Sequence, residues 1–167
     1  MSKFKYLRLK LYALTVRLLL RLQLGSPHPK PTNVIYVPSR GPGQRSIKSL
    51  PTPVLINFHG SGFILPMHGI DDLFCRRVAD DVQYTVLDVQ YRLAPENPWP
   101  AAHNDAEDVV KWVLKDSEQF DLTKIALSGF SAGAHIACVT STVTFAPRTF
   151  CSLLAFYPAT DLTIEPS

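Results

Sequence analysis

Lys124-Ile125-Ala126-Leu127-Ser128-Gly129-Phe130-Ser131-Ala132-Gly133 decides how this chain is read. The first half is an apolar run of strand character, and the second sets a serine between two glycines. A tight strand-to-helix turn imposes strained backbone angles on that serine, and the glycines leave room where any side chain would collide. Ser131 Oγ is thereby expected to stand exposed at the tip of a turn. A helix beginning at Ala132 would aim its unpaired amides and the positive end of its dipole at the same place, which suits a reaction that develops an oxyanion.

A second motif lies upstream. Val54-Leu55-Ile56-Asn57-Phe58 reads as a buried strand and runs directly into His59-Gly60-Ser61-Gly62-Phe63, a loop with little side-chain bulk. Such a loop can present bare backbone amides. Acyl transfer needs N–H donors held about 3 Å from the developing oxyanion, and losing one raises the barrier by roughly 3 kcal/mol. Ser61 and Gly62, joined by the Ala132 amide, are the expected donors. From residue 84 onward apolar runs alternate with helical patterns such as Ala106, Val109, Val110, Val113 and Leu114, whose wet side carries the pair Glu107 and Lys111. That alternation means an α/β class protein, a mostly parallel sheet wrapped by helices.

His59-Gly60-Ser61-Gly62-Phe63, Tyr91-Arg92-Leu93-Ala94-Pro95-Glu96 and Gly129-Phe130-Ser131-Ala132-Gly133 together resemble the hormone-sensitive lipase family of α/β-hydrolases, in order and spacing. The resemblance covers roughly residues 54–161. It implies an α/β-hydrolase fold and carboxylic-ester hydrolysis of a small-molecule substrate without any cofactor. It also implies Ser131 as nucleophile and the amides of Ser61, Gly62 and Ala132 as oxyanion hole. Three positions depart from the family pattern. Ser61 stands where a third glycine is usual and narrows the acyl site, Phe130 replaces a frequent aspartate and makes the turn more apolar, and Gln90 replaces an aspartate. None removes a catalytic atom.

A serine nucleophile needs an imidazole to take its proton and an acid to orient that imidazole, and in this fold both follow the serine. After Ser131 the only histidine is His135, one turn into the helix, where its ring is expected to face helix packing. His28 lies in a linker, His59 belongs to the glycine loop, and His68 and His103 are expected to precede helices. Asp161 reads as a cap or turn residue, since the resemblance places the acid one strand later. The acid and base are therefore expected outside these residues. Ser152-Leu153-Leu154-Ala155-Phe156-Tyr157 argues the same way, because an apolar strand of this kind belongs in the middle of a parallel sheet. The sequence reads as the N-terminal portion (33–167) of an α/β-hydrolase domain, incomplete at its C-terminal side. A non-catalytic binder of small ligands on the same scaffold is the alternative.

Residues 1–32 form a separate unit, a basic amphipathic helix followed by a proline-rich linker at 27–31; Val34-Ile35-Tyr36-Val37 and Arg45-Ser46-Ile47 then flank a turn as a hairpin. No acidic residue occurs before residue 25, Lys3, Lys10, Arg17 and Arg21 share one narrow helical face, and Leu7, Leu11, Leu14, Leu18 and Leu22 form a neighbouring stripe. Two roles fit: contact of residues 1–24 with an anionic membrane surface, or cover for the active-site mouth. Arg17 interrupts the apolar run well short of the ~20 residues of a membrane span. With 46% apolar and 19% charged residues the whole chain has the composition of a globular protein with a core. Its net charge of +3, concentrated before residue 31, gives no sign of nucleic-acid binding. Cys75, Cys138 and Cys151 lack metal-ligand spacing and read as reduced core residues in a cytoplasmic protein. Asp71 and Asp72 read as caps opening a helix, and Trp99 and Trp112 as packing residues.

Overall fold

The computed structural model describes residues 3–23 and 51–160. The expected hairpin at 34–37 and 45–47, the linker at 27–31 and Asp161 lie outside the described residues. In chain order the elements are α1 (Lys3–Gln23), β1 (Thr52–Phe58), α2 (Asp72–Val82), β2 (Thr85–Val89), α3 (Ala101–Leu114), β3 (Phe120–Phe130), α4 (Ala132–Val139) and β4 (Ser152–Phe156). The strands form a wholly parallel sheet in the order β2-β1-β3-β4.

That order follows from the connections. The chain leaves β1 through α2 to β2 on one side, returns across β1 through α3 to β3, and continues through α4 to β4. Because crossovers between parallel strands are right-handed, the change of direction puts α2 on one face and α3 with α4 on the other. Observed packing agrees: α3 touches α4 and β3, while α2 lies along β2. The reversal falls between β1 and β3, whose C-terminal ends part to opposite sides. A crevice opens at such a switch point, and it is where ligands bind in open α/β sheets.

The two faces of the sheet differ. Toward α3 and α4, Val54, Ile56 and Phe58 of β1 meet Ile125 and Leu127 of β3 and close against Val110, Val113 and Ile136, all fully buried. Each such side chain stabilises the fold by roughly 1.5–3 kcal/mol. Toward α2 the register places Asp88, Asn57 and Ser128 side by side on three adjacent strands. Ser128 Oγ donates to Asn57 Oδ1 and Asn57 Nδ2 donates to Asp88 Oδ1, each at 2.8 Å. Buried polar groups are tolerated when paired in this way.

β4 holds the edge of the described sheet, and Leu153 and Leu154 are exposed there, as expected of an apolar strand that lacks its next partner. Several other expectations need correction. His103 lies inside α3 rather than before it, because that helix already begins at Ala101. Trp112 packs on Phe120, but Trp99 is 81% exposed and packs on little. Of the cysteines only Cys75 is buried, and Cys151 is exposed just before β4. The helix α1 is present, yet its domain-facing side is not the leucine stripe. Ala13 is buried, and Arg17 donates to the carbonyls of Ile64 and Ala94 and to both Glu96 carboxylate oxygens at 2.9–3.2 Å. These bonds hold the Arg17 side of α1 against the loops after β1 and β2. Leu7, Leu11, Leu14, Leu18 and Leu22 are all exposed.

Candidate active site

Ser131 sits between β3 and α4 with φ 52° and ψ −116°, a conformation that L-residues rarely adopt. The neighbours enforce it. A Cβ on Gly133 would lie 1.9 Å from Phe58 O, and one on Gly129 would lie 2.5 Å from the Gly133 backbone. Strand and helix therefore approach as closely as bare backbone allows. A serine at a helix N-cap ordinarily turns its hydroxyl onto the first amides of the helix. Ser131 occupies that position in α4 and makes no such bond. Its strained angles leave Oγ free, and its own amide is held by Phe156 O at 3.0 Å.

The loop after β1 lies against this turn: a Cβ on Gly60 would stand 3.3 Å from Phe130 O. Gly60, Ser61, Gly62 and Ser131 line one cavity of about 350 Å³, walled by Leu65, Met67, Ile70, Phe130 and Tyr157. Ala132 is buried immediately behind Ser131 as the first residue of α4, and it is not part of the cavity wall. Among the described residues, no acceptor takes the amide hydrogens of Ser61, Gly62 or Ala132 in a turn, loop or cap. Gly62 and Phe63 both have positive φ, so the loop turns sharply where Ser61 and Gly62 border the cavity.

The Ser61 side chain is held away from chemistry. Tyr91 Oη donates to His59 O at 2.6 Å, so Ser61 Oγ, also 2.6 Å from Tyr91 Oη, must donate to it, while Phe63 N–H donates to Ser61 Oγ at 2.9 Å. Expected to narrow the acyl site, Ser61 instead locks the loop. Burial pushes the Tyr91 phenol up to about 12, so it remains a donor at any physiological pH. His59 stacks on the Tyr91 ring, centroids 4.4 Å apart, and burial holds its imidazole below the usual range. Both are structural groups. Arg92 likewise fixes its segment, through Asp105 and not through the cavity.

His135 behaves as expected from its place on α4. Its Nδ1 donates to Ala159 O at 2.6 Å, and its ring meets Phe63 and His103 edge-on. Phe63 packs in that cluster rather than lining the cavity, whereas Phe130 does line it, stacked on Phe156 at 4.5 Å. Among the described residues no side chain hydrogen-bonds Ser131 Oγ.

One group at this site is not legible as such in the sequence. Asp71 occupies the N-cap of α2 but makes no side-chain cap bond; it lines the cavity instead. Burial, with the Asp88 charge, raises its carboxyl to about 6, partly offset by the Asn57 side chain and the Gly60 amide. Its Oδ2 is buried without a hydrogen-bond partner among the described residues. For Asp88 burial also works upward, but hydrogen bonds from His68 and Asn57 prevail and hold the carboxyl below its ordinary value. His68 Nε2 lies 3.1 Å from Asp88 Oδ2, and that bond raises the imidazole. Among the described residues no cluster of His, Cys, Asp and Glu is arranged to hold a metal ion.

A family model described as alpha/beta hydrolase fold matches residues 55–167. The chain belongs to that family. Among curated relatives, esterase LipI of Mycobacterium tuberculosis is 41% identical over 107 residues, 63% of this chain and 32% of its own length. Carboxylesterase 20 of Arabidopsis thaliana is 33% identical over 111 residues, 62% of this chain and 34% of its own. The solved esterase of Pyrobaculum calidifontis superposes with a TM-score of 0.65 at 36% identity, over 72% of this chain and 41% of that one. The chain thus spans about a third of the length of these curated relatives. The strand order and the serine turn described above are therefore part of an α/β-hydrolase fold, as the resemblance in the sequence implied.

Proposed function

We propose that this hydrolase segment carries the nucleophile and oxyanion hole of a carboxylic-ester hydrolase. Ser131 Oγ adds to the ester carbonyl, and the amides of Ser61, Gly62 and Ala132 hold the resulting oxyanion. Loss of the alcohol leaves an acyl group on Ser131, and water releases it. The observation that carries this reading is the backbone of Ser131, forced to positive φ between two glycines that admit no Cβ, in one cavity with Ser61 and Gly62. Strain of this kind persists only where surrounding structure imposes it, and it clusters at reactive groups. The apolar walls Leu65, Met67 and Ile70 suit an acyl chain. The names of the similar proteins, all esterases, support the same class of substrate.

Since no described side chain bonds Ser131 Oγ, the 167 residues alone are expected to turn over slowly, within the roughly 10³ to 10⁴ over water that an oxyanion hole and binding supply without a complete triad. The test is acyl transfer from a short p-nitrophenyl ester, with the modified residue located by peptide mass spectrometry. Acylation confined to Ser131 and absent from Ser131→Ala supports the proposal. Acylation elsewhere, or an unchanged rate in Ser131→Ala, refutes it.

A further inference from the structure

The outer face of α1 has no counterpart in the chemistry above. Its leucine stripe, Leu7 to Leu22, is 49–75% exposed at all five positions and extends about 22 Å along the axis. Leu19 and Tyr12 extend the exposed apolar surface on one side. Away from the stripe the helix is occupied, by buried Ala13 and, on the basic edge, by the bonds of Arg17 to Ile64, Ala94 and Glu96. The helix is therefore fixed to the domain with its apolar side outward. On the helical wheel exposed Lys3 and Arg8 flank the stripe on its two edges, and Lys10 follows Lys3, its ammonium over the Tyr6 ring.

We propose that α1 is an interfacial helix that lays this stripe on an anionic lipid surface. Charge selects the occupant. Residues 1–24 contain no acid, so a second copy pairing stripe to stripe would set lysine and arginine against lysine and arginine. An anionic bilayer supplies the complementary charge and an apolar layer at matching depth, the arrangement that amphipathic helices with basic flanks use. Each basic residue near such a surface raises affinity roughly five-fold. No helix among the described residues is long and apolar enough to cross a membrane, so the mode is surface seating. Through Arg17 the seated helix is joined to Ile64, three residues beyond Ser61. The proposal does not depend on catalysis.

Co-sedimentation of the whole chain with unilamellar vesicles tests it. Vesicles of phosphatidylcholine with phosphatidylserine are expected to bind at least about tenfold more tightly than phosphatidylcholine alone, with affinity falling as salt rises. The double variant Leu11→Ser, Leu18→Ser, which leaves Arg17 and the buried side of α1 intact, is expected to lose at least about tenfold in affinity at an unchanged melting temperature. Equal binding to both vesicle types, or no binding to either, overturns the proposal. So does a concentration-dependent dimer in sedimentation equilibrium that the double variant abolishes, because the stripe would then belong to a second copy. The salt and lipid comparison on the unaltered chain decides the matter even where the variant fails to fold.

Discussion

Two glycine-bearing turns meet at the cavity, and they are held in shape by opposite means. The turn after β3 is fixed by exclusion: Gly129 and Gly133 lie against backbone that leaves no space for a methyl group. The loop after β1 has open space at Gly62, where a Cβ would meet nothing within 4 Å, although Gly60 lies against Phe130. It is fixed instead by polar attachment, through Tyr91, Ser61 and His59 on one side and Asp71 near Gly60 on the other. The contrast suits the two proposed tasks. A nucleophile must be held in a strained position, which close packing does well, while oxyanion donors must be oriented, which directional hydrogen bonds do well.

Substituting Gly133→Ala attacks the first half of the contrast. A methyl group 1.9 Å from Phe58 O and 2.6 Å from His59 O can be relieved only by separating α4 from β1. The expected loss exceeds about 4 kcal/mol, enough to abolish cooperative melting followed by circular dichroism.

Asp71 probes the second half through pH. Its carboxyl titrates near 6 in the folded chain against an ordinary 3.8, so the folded state binds the extra proton between those values. Its contribution to stability is full below pH 3.8 and is lost as pH rises through 6, by up to about 3 kcal/mol for a shift of this size. Asp71→Asn is expected to remove that window. The difference in unfolding free energy between variant and wild type should grow in the variant's favour from pH 4 to pH 7. Taking the difference at each pH cancels, to first order, what Asp88, His59 and His68 contribute. A difference independent of pH would show that the carboxyl is not held protonated by the cavity.

Tyr91→Phe removes the hydroxyl that joins Ser61 Oγ to His59 O and leaves both groups buried. About 2 kcal/mol of stability is expected to go, together with a slower acylation of Ser131, measured by denaturant titration and ester burst kinetics. Gly62→Ala sharpens the comparison from the other side. With open space around it, only the backbone preference at φ +53° opposes the methyl group, and about 1 kcal/mol is expected. A Gly62 effect as large as that of Gly133 would erase the distinction between the two turns.

The serine turn and the glycine loop were legible because each is written in consecutive residues, an apolar strand followed by glycines at fixed offsets. The parallel sheet followed from alternation, and the resemblance supplied the roles. What escaped depends on register. Asp88, Asn57 and Ser128 become neighbours only when three strands align, and Asp71 changes from cap to cavity wall only because α2 closes over that polar row. The period of α1 was equally plain, but not which side would dock. The docked side is held by Arg17 bonds to carbonyls and a carboxylate 47 to 79 positions away, a partnership no local pattern announces.

The most direct measurement of the central claim is a crystal structure of the chain after reaction with a short alkyl fluorophosphonate. Phosphorus is expected bonded to Ser131 Oγ, with one phosphonyl oxygen within about 3 Å of the amide nitrogens of Ser61, Gly62 and Ala132. An adduct on another residue, or a phosphonyl oxygen turned away from all three amides, would contradict it.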